Sequence, residues 1–386
     1  MALIFLTKYI QEVHLHKEIG IVPRLMGRRH GYETMICCHQ NPNKPLGENQ
    51  DGVQLIPIRE ASWPIGPLSA VFENRHMIGW LIRHAQSVDV LVLLSFTRAY
   101  VVFASVYRFF NKRGIVFLKA DVSEESIRTY LGKSRYIDNL KSLHRLSDLI
   151  SVPTRAVYER LKAGYEKLGL DSRKLRVYPN GFDDSLIAGR HTWREKEKLI
   201  LTVGRLGTEQ KNTEMLLSAL VSVDLKGWSV VLAGPVEESF ASTLAEFRSK
   251  HPESSAALRL AGELTDREEL YELYERASIF CLTSRWESFG IVLAEALHFD
   301  DYLISTKVGA ANDLILEGVN GSLVDSEDSA AFAAALKRAM KEGPAPSGFV
   351  GNPDYREMKT RFLWSTIVDR MKNDLDACEK KHHGGI

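Results

Sequence analysis

The sequence predicts two α/β domains in tandem, each a parallel sheet covered by helices on both faces. Three observations lead there. Short, continuous apolar runs rich in Val, Ile and Leu alternate with longer helical patterns, as strands buried on both faces require. The alternation stops at a polar, charged stretch, Asp183–Lys198, and then restarts. The length, 386 residues, suits two domains of ordinary size.

The first array carries expected strands at Ala2–Leu6, Thr34–Cys38, Val53–Ile58, Val88–Leu94, Ile115–Leu118, Leu149–Val152 and Leu175–Tyr178. Helical patterns fall at Val22–Arg29, Glu73–Gln86, Tyr100–Lys112, Tyr136–Leu146 and Arg155–Leu168. Tyr178-Pro-Asn-Gly-Phe182 is a turn cluster, and Asp183–Lys198 after it has the composition of a linker. The second array has expected strands at Leu199–Val203, Ser229–Ala233, Leu258–Ala261, Ile279–Leu282, Leu303–Ser305 and Gly321–Val324. Its helical patterns are Thr213–Leu220, Phe240–Lys250, Glu268–Ala277, Ile291–Leu297 and Ser329–Lys341. A Gly- and Pro-rich loop at Glu342–Asp354 precedes one more helical pattern, Tyr355–Lys381. The expected division is 1–185, 186–355 and a terminal helix within 356–386.

Composition excludes several classes. Lys+Arg and Asp+Glu number 50 and 49, so net charge does not favour a nucleic-acid binder. The average hides an asymmetry: residues 1–190 carry +9 and residues 191–386 carry −8, so the halves present different fields. Four Cys without a CxxC predict a reducing compartment and no zinc site. Met1–Leu6 runs straight into Lys8, from which no secretory signal is expected. The longest apolar runs, Val88–Phe96 and Ala99–Val106, fall short of the ~18 residues of a spanning helix. The expected location is the cytoplasm.

Two constellations carry chemistry. Arg285-Trp-Glu-Ser-Phe-Gly-Ile-Val-Leu-Ala-Glu295 lies between a strand and an apolar helix, with Glu287 and Glu295 eight apart. Ser288-Phe289-Gly290 falls at the strand-to-helix turn. The exposed N–H groups of a helix start at Ile291 favour an anion. Gly290 lets a phosphate approach the backbone, and the two carboxylates could hold hydroxyl-rich groups on either side of it. Taken singly, Ser288 could be a cap and Glu295 a solvated helix residue. The second constellation, Leu201-Thr-Val-Gly-Arg-Leu-Gly207, is a strand ending in Gly204 and Arg205, followed by Lys211. A planar guanidinium and a mobile ammonium suit phosphate oxygens. Two solvated loop cations are the plainer alternative.

With Leu232-Ala-Gly234, Lys307-Val-Gly-Ala-Ala311 and Gly318-Val-Asn-Gly321 added, these segments resemble the donor domain of GT-B retaining glycosyltransferases of family 4, over about residues 175–325. The resemblance implies two Rossmann-like domains with parallel sheets facing an inter-domain cleft. It implies a hexosyltransferase that needs no metal and no cofactor beyond a nucleotide-sugar donor, a UDP-sugar first and a GDP-sugar second. By the resemblance, Arg205 and Lys211 bind the diphosphate. Glu287, the first Glu of the EX7E motif, contacts the donor sugar, and Glu295 holds the ribose. The amides of Phe289, Gly290 and Ile291 serve the phosphates, with Gly204, Gly234, Leu264 and Ser288 lining the donor site. The last helix crosses back to the amino-terminal domain, which binds the acceptor: a glycan, a lipid-linked or a small-molecule hydroxyl.

The amino-terminal half departs from the family. A glycine-rich loop is missing after the first strand, where Thr7–Gly20 has one Gly, and a His-bearing strand end is replaced by Phe117-Leu-Lys119-Ala-Asp121. Asp121 could hydrogen-bond the acceptor or the sugar, or cap the next helix. Basic and aromatic residues, among them Arg24, Arg28, Arg29, Tyr107-Arg-Phe-Phe-Asn-Lys-Arg113 and Arg145, could rest on an anionic membrane. His14 and His16, in an expected loop, make a weak metal case, and Asp374-Leu-Asp376 lies in the expected terminal helix, so no metal site is expected. The rivals are a nucleotide-sugar epimerase or phosphorylase-like enzyme of the same fold and a non-catalytic nucleotide-sugar or membrane-binding protein. A dinucleotide-dependent oxidoreductase should show a GxGxxG after the first strand, and none is present.

Overall fold

The computed structural model describes residues 1–40, 46–60, 69–186, 195–342 and 349–383. The expected linker falls partly outside them, at 187–194, and so does most of the Gly- and Pro-rich loop, at 343–348. The chain divides into two compact units. One is Met1–Asp183 with Trp364–Ile386, and the other is Asp184–Leu363.

The first unit holds β1 (Ala2–Ile10), β2 (Glu33–Gln40), β3 (Asn49–Gln50), β4 (Val53–Pro57), β5 (Val90–Leu93), β6 (Ile115–Lys119), β7 (Leu149–Val152) and β8 (Leu175–Val177). Their order is β3-β4-β2-β1-β5-β6-β7-β8, and every pair is parallel except β3 with β4. Successive side chains of a strand face opposite ways. Ile4, Leu6, Leu91, Leu93, Val116 and Leu118 therefore enter one core, and Leu3, Phe5, Val90, Val92, Ile115 and Phe117 enter the other. The first core is covered by the helices Arg75–His84, Arg98–Phe110, Ser134–Leu146 and Arg155–Lys167. The second is covered by Glu18–His30 and by Ile367, Val368, Met371 and Leu375 of the final helix.

The second unit holds β9 (Leu199–Val203), β10 (Ser229–Ala233), β11 (Leu258–Gly262), β12 (Ile279–Leu282), β13 (Tyr302–Thr306) and β14 (Gly321–Val324). The sheet is parallel throughout, in the order β11-β10-β9-β12-β13-β14. Strand order reverses between β9 and β12. In open parallel sheets, ligands lodge beyond the carboxyl ends of the strands at such a reversal.

Several expectations need correction. Tyr355–Lys381 is not one helix. Pro353–Arg361 ends at Phe362, in the second unit, and Trp364–His383 starts anew in the first, where the Trp364 amide donates to the Phe182 carbonyl (2.9 Å). His14 lies in a helical turn, Glu12–Leu15, rather than a loop, and among the described residues no cluster of three or more His, Cys, Asp or Glu side chains is placed to hold a metal. Asp374 accepts from Arg176 (3.1 Å) and from the Tyr178 hydroxyl, which pins the final helix to β8. Two residues of the expected linker, Asp183 and Lys196, are buried. Asp183 pairs with Arg24, and the Lys196 ammonium reaches Asp301 (2.7 Å) and the Tyr274 carbonyl (2.8 Å).

The four Cys are buried and free. Among the described residues no helix is long and apolar enough to cross a membrane.

Candidate donor site

The sequence of the second unit places its strand ends around the reversal. After β9 the chain turns through Gly204 and Arg205, and after β12 it runs through Thr283, Ser284 and Glu287 to the helix Ile291–His298. The two strands are neighbours, so residues 76 apart in sequence meet: the Lys211 ammonium contacts Glu287 Oε1 at 2.5 Å. Ser284 Oγ donates to the same oxygen (2.7 Å), and Gln210 Nε2 reaches Glu287 Oε2 (3.4 Å) and the Trp286 carbonyl (3.0 Å). Arg205 Nη2 donates to Gln210 Oε1 (3.1 Å), which joins the exposed guanidinium to the cluster. Arg205, Lys211 and Glu287 thus form one network. Gln210 and Ser284 are functional neighbours that the motifs do not announce. The only sequence signal for them is their place beside Lys211 and three residues before Glu287.

Glycines let the network close. Gly204 lies under the Lys211 stem; a Cβ there would stand 3.2 Å from Lys211 Cε. Gly234 has φ +132, and a Cβ would fall 1.9 Å from the Gly204 carbonyl oxygen. Its absence of a side chain serves the approach of these two strand ends. Gly309 has φ +53, and a Cβ would meet the Phe289 carbonyl at 2.5 Å and Glu287 Cβ at 2.8 Å. Gly309→Ala is expected to cost at least about 1–2 kcal/mol from the left-handed backbone alone and to displace Glu287. Urea unfolding of the variant checks the first part, and loss of nucleotide binding checks the second.

The helix Ile291–His298 starts at Gly290, which has φ +89 and makes no side-chain cap. Ser288 is therefore not its cap. The first N–H groups of a helix have no intrahelical partner and carry the positive end of its dipole, so the helix start at Ile291 favours negative charge beside the network. The Phe289 side chain is buried against Phe362, and the Phe289 carbonyl accepts from Ala310 N (2.8 Å), which fixes the turn. Glu295 is not solvated: it is 3% exposed, and its carboxylate accepts from Arg267 Nη2 (2.7 Å) and the Tyr274 hydroxyl (3.0 Å). Leu264 lies half-buried in the loop between β11 and the helix Arg267–Arg276.

The amino-terminal candidates lie in the first unit. Asp121 is exposed just past β6, and the next helix is capped by Ser123, which accepts from Ser126 N (3.2 Å). Capping therefore does not account for Asp121. Lys119, 2% exposed, pairs with buried Glu18 and lies 5.8 Å from the Trp364 ring. Burial raises the Glu18 pKa; the Lys119 charge works against the rise and the Asp121 charge adds to it. A separate cavity of about 380 Å³ is lined by Glu12, His16, Arg24, Gln50 and Asp51 among others.

The expected basic surface is thinner than its sequence suggests. Arg24 is tied to Asp183 and Asp51, Arg29 to Asp369, and Arg108 to Asp148 and to the Leu146 and Gly114 carbonyls.

The profile of the family described as glycosyl transferases group 1 matches residues 183–352. This part of the chain is therefore similar to the group 1 glycosyltransferases. Curated relatives match about half of the chain. A Campylobacter jejuni GalNAc-alpha-(1->4)-GalNAc-alpha-(1->3)-diNAcBac-PP-undecaprenol alpha-1,4-N-acetyl-D-galactosaminyltransferase is 28% identical over 210 residues, 52% of this chain and 55% of that protein. The amylovoran biosynthesis glycosyltransferase AmsD of Erwinia amylovora is 27% identical over 197 residues, 49% and 51% of the two chains. The chain spans about half the length of these curated relatives. Solved structures share the fold across both units. The lipopolysaccharide outer core galactosyltransferase WaaB aligns with TM-score 0.72 at 16% identity, over 98% of this chain and 99% of that one. Anabaena Alr3699/HepE in complex with UDP aligns with TM-score 0.70 at 16% identity, over 98% and 100%. The chain therefore has the GT-B fold of these structures.

Proposed function

We propose that the protein transfers a hexosyl unit from a nucleotide-sugar to a hydroxyl of a glycan, lipid-linked or small-molecule acceptor, with retention at the anomeric carbon. The observation that carries the reading is the Arg205–Gln210–Glu287–Lys211 network at the strand reversal, beside the opening of the helix at Ile291. The donor diphosphate lies against Arg205, Lys211 and the amides of residues 289–291, and the donor sugar lies against Glu287. Lys211 then exchanges part of its contact with Glu287 for phosphate oxygen. The C1–O bond to the diphosphate breaks as the acceptor oxygen bonds to C1. The electron pair leaves on the phosphate, whose oxygen takes the acceptor proton. Fixed cations and helix N–H groups stabilise the charge that builds there, so the reading calls for no metal. The acceptor is held by the first unit, with Asp121 as its candidate contact.

A UDP-sugar is the first choice of donor and a GDP-sugar the second. UDP and UDP-glucose complexes of the structurally similar HepE support that order. A thermal-shift panel of UDP, GDP and ADP tests it. A ligand at a hundredfold its Kd adds about 2.7 kcal/mol, so the preferred nucleotide raises Tm visibly, and a flat response to all three would defeat the donor reading. Incubating the protein with donor alone separates a transferase from an epimerase, which would convert the sugar without an acceptor. Peripheral contact with an anionic membrane belongs to the reading for a lipid-linked acceptor. Exposed Lys112 and Arg113, close in sequence to Phe109 (76% exposed), and exposed Arg145 support it. Sedimentation with vesicles containing anionic lipid, but not with neutral ones, is the expected result.

A further inference from the structure

Glu295 is a buried carboxylate whose two oxygens are held from two sides. Oε2 accepts from the Tyr274 hydroxyl, itself fully buried, and Oε1 accepts from Arg267 Nη2. Both partners come from one helix, Arg267–Arg276, two turns apart, and that helix follows directly on the loop leaving β11. Arg267 is anchored in turn. Its guanidinium lies over the Tyr271 ring at 5.2 Å, and Nη2 also reaches the Tyr271 hydroxyl at 3.1 Å. A third of the Arg267 side chain is exposed, while its Nε is buried without a hydrogen-bond partner. Tyr274 is enclosed in the core. Arg267 stands at the rim and keeps unused donor capacity.

We propose that Arg267 is a positioning residue for the nucleoside end of the donor: it holds Glu295 in one rotamer so that the carboxylate accepts the ribose hydroxyls. The inference rests on the reading that Glu295 faces the ribose. An ionised carboxylate offers about four lone-pair sites. Tyr274 and Arg267 occupy two, and the others remain for a diol. A buried carboxylate that loses its cationic partner is left with an unsatisfied oxygen. Without Arg267 the Oε1 side of Glu295 is released, the carboxylate can turn, and the diol loses a partner. Burial disfavours the charge on Arg267 itself, but Glu295 and the Tyr271 hydroxyl outweigh it and raise its pKa.

The test measures Kd for UDP and for 2′-deoxyuridine diphosphate by calorimetry, on the whole chain and on its Arg267→Ala and Arg267→Lys variants. If the thermal-shift panel selects GDP, the guanosine pair is used. The unaltered chain is expected to bind the ribonucleotide about tenfold or more tighter than the deoxyribonucleotide, the worth of a charged hydrogen bond. Arg267→Ala is expected to collapse that ratio towards one. Arg267→Lys, which restores the charge, is expected to recover most of the ratio. A merely structural role for Arg267 would weaken both nucleotides alike and leave the ratio untouched. Equal binding of the two nucleotides by the unaltered chain would overturn the assignment of Glu295 to the ribose. A preference retained in Arg267→Ala would overturn the role of Arg267 alone. Should Arg267→Ala fail to fold, its place is taken by Arg267→Gln, which is neutral and of similar length, and the same ratio decides.

Discussion

Lys211→Ala is expected to lower turnover by about 10²–10³-fold, the usual worth of one preorganised donor facing charge that develops in the transition state. Turnover is read as nucleoside diphosphate released from the donor in the presence of acceptor. The loss should not come from unfolding. The Lys211 side chain is partly exposed, and its carbonyl stays bonded to Thr283 Oγ1 (3.0 Å) whatever side chain it carries. Glu287 keeps its bond from Ser284, so the carboxylate is not abandoned. Arg205→Ala should act in the same direction with less effect on the geometry, because Arg205 joins the network through Gln210 alone. Full activity in both variants, with melting temperatures unchanged, would remove the basis for placing a diphosphate here.

Lys196→Met is expected to destabilise the protein by about 3–5 kcal/mol at pH 8, the cost of stranding one half of a buried ion pair. Lys196 and Asp301 have side-chain exposures of 3% and 0%. Asp301 Oδ2 has no hydrogen-bond partner, so the carboxylate depends on Lys196. Burial pushes the Asp301 carboxyl up to about 7, with Lys196 pulling against it. The folded state therefore binds a proton more tightly than the unfolded chain, whose Asp titrates near 3.9. Where the folded state holds the extra proton, stability falls as pH rises, and for the unaltered chain that window runs from about 4 to 7. In the variant the pull of Lys196 is gone and the window extends upward. The stability deficit is thus expected to be largest in alkali and to shrink as pH falls through neutrality. Urea melts at pH 8 and pH 5 measure it; a deficit that grew on acidification would refute this account of the pair.

A smaller effect of opposite sign is expected at His298. Burial lowers its pKa to about 4, with the Lys359 charge adding to the effect and the Ala294 and Lys359 carbonyls opposing it. The unfolded chain, with His near 6.5, takes up the proton first, so this residue costs stability as pH falls from about 6.5 to 4. His298→Gln should flatten that limb of the stability profile, which urea melts between pH 7 and pH 4 would show.

Much of the candidate site is legible in the sequence. Glu287, Gly290 and Glu295 sit in one continuous segment around a strand-to-helix turn, and Arg205 and Lys211 sit in another; each is a local signal. Their partners are not legible in the same way. Gln210 and Ser284 are ordinary polar residues whose meaning depends on β9 lying beside β12. Arg267 and Tyr274 look like surface and core of an amphipathic helix until their hold on Glu295 is seen. Lys119 reads as a departure at a strand end, and the buried Glu18 that neutralises it lies 101 residues away.

The sequence by itself determined most of the strands and helices, the restart of the pattern after Asp183 and the residue types at the strand ends, but not β3, the helix Glu124–Gly132 or the break at Phe362. These follow from the period of apolar residues and from glycine and proline placement, which act over a few residues along the chain. Tertiary structure alone decided which strand ends meet, which carboxylates are already occupied, and that the last helix covers a core more than two hundred residues upstream. Those outcomes depend on strand order and on burial. Contacts between segments far apart in the chain leave no periodic trace in either segment, so they become visible only once the sheet has been assembled.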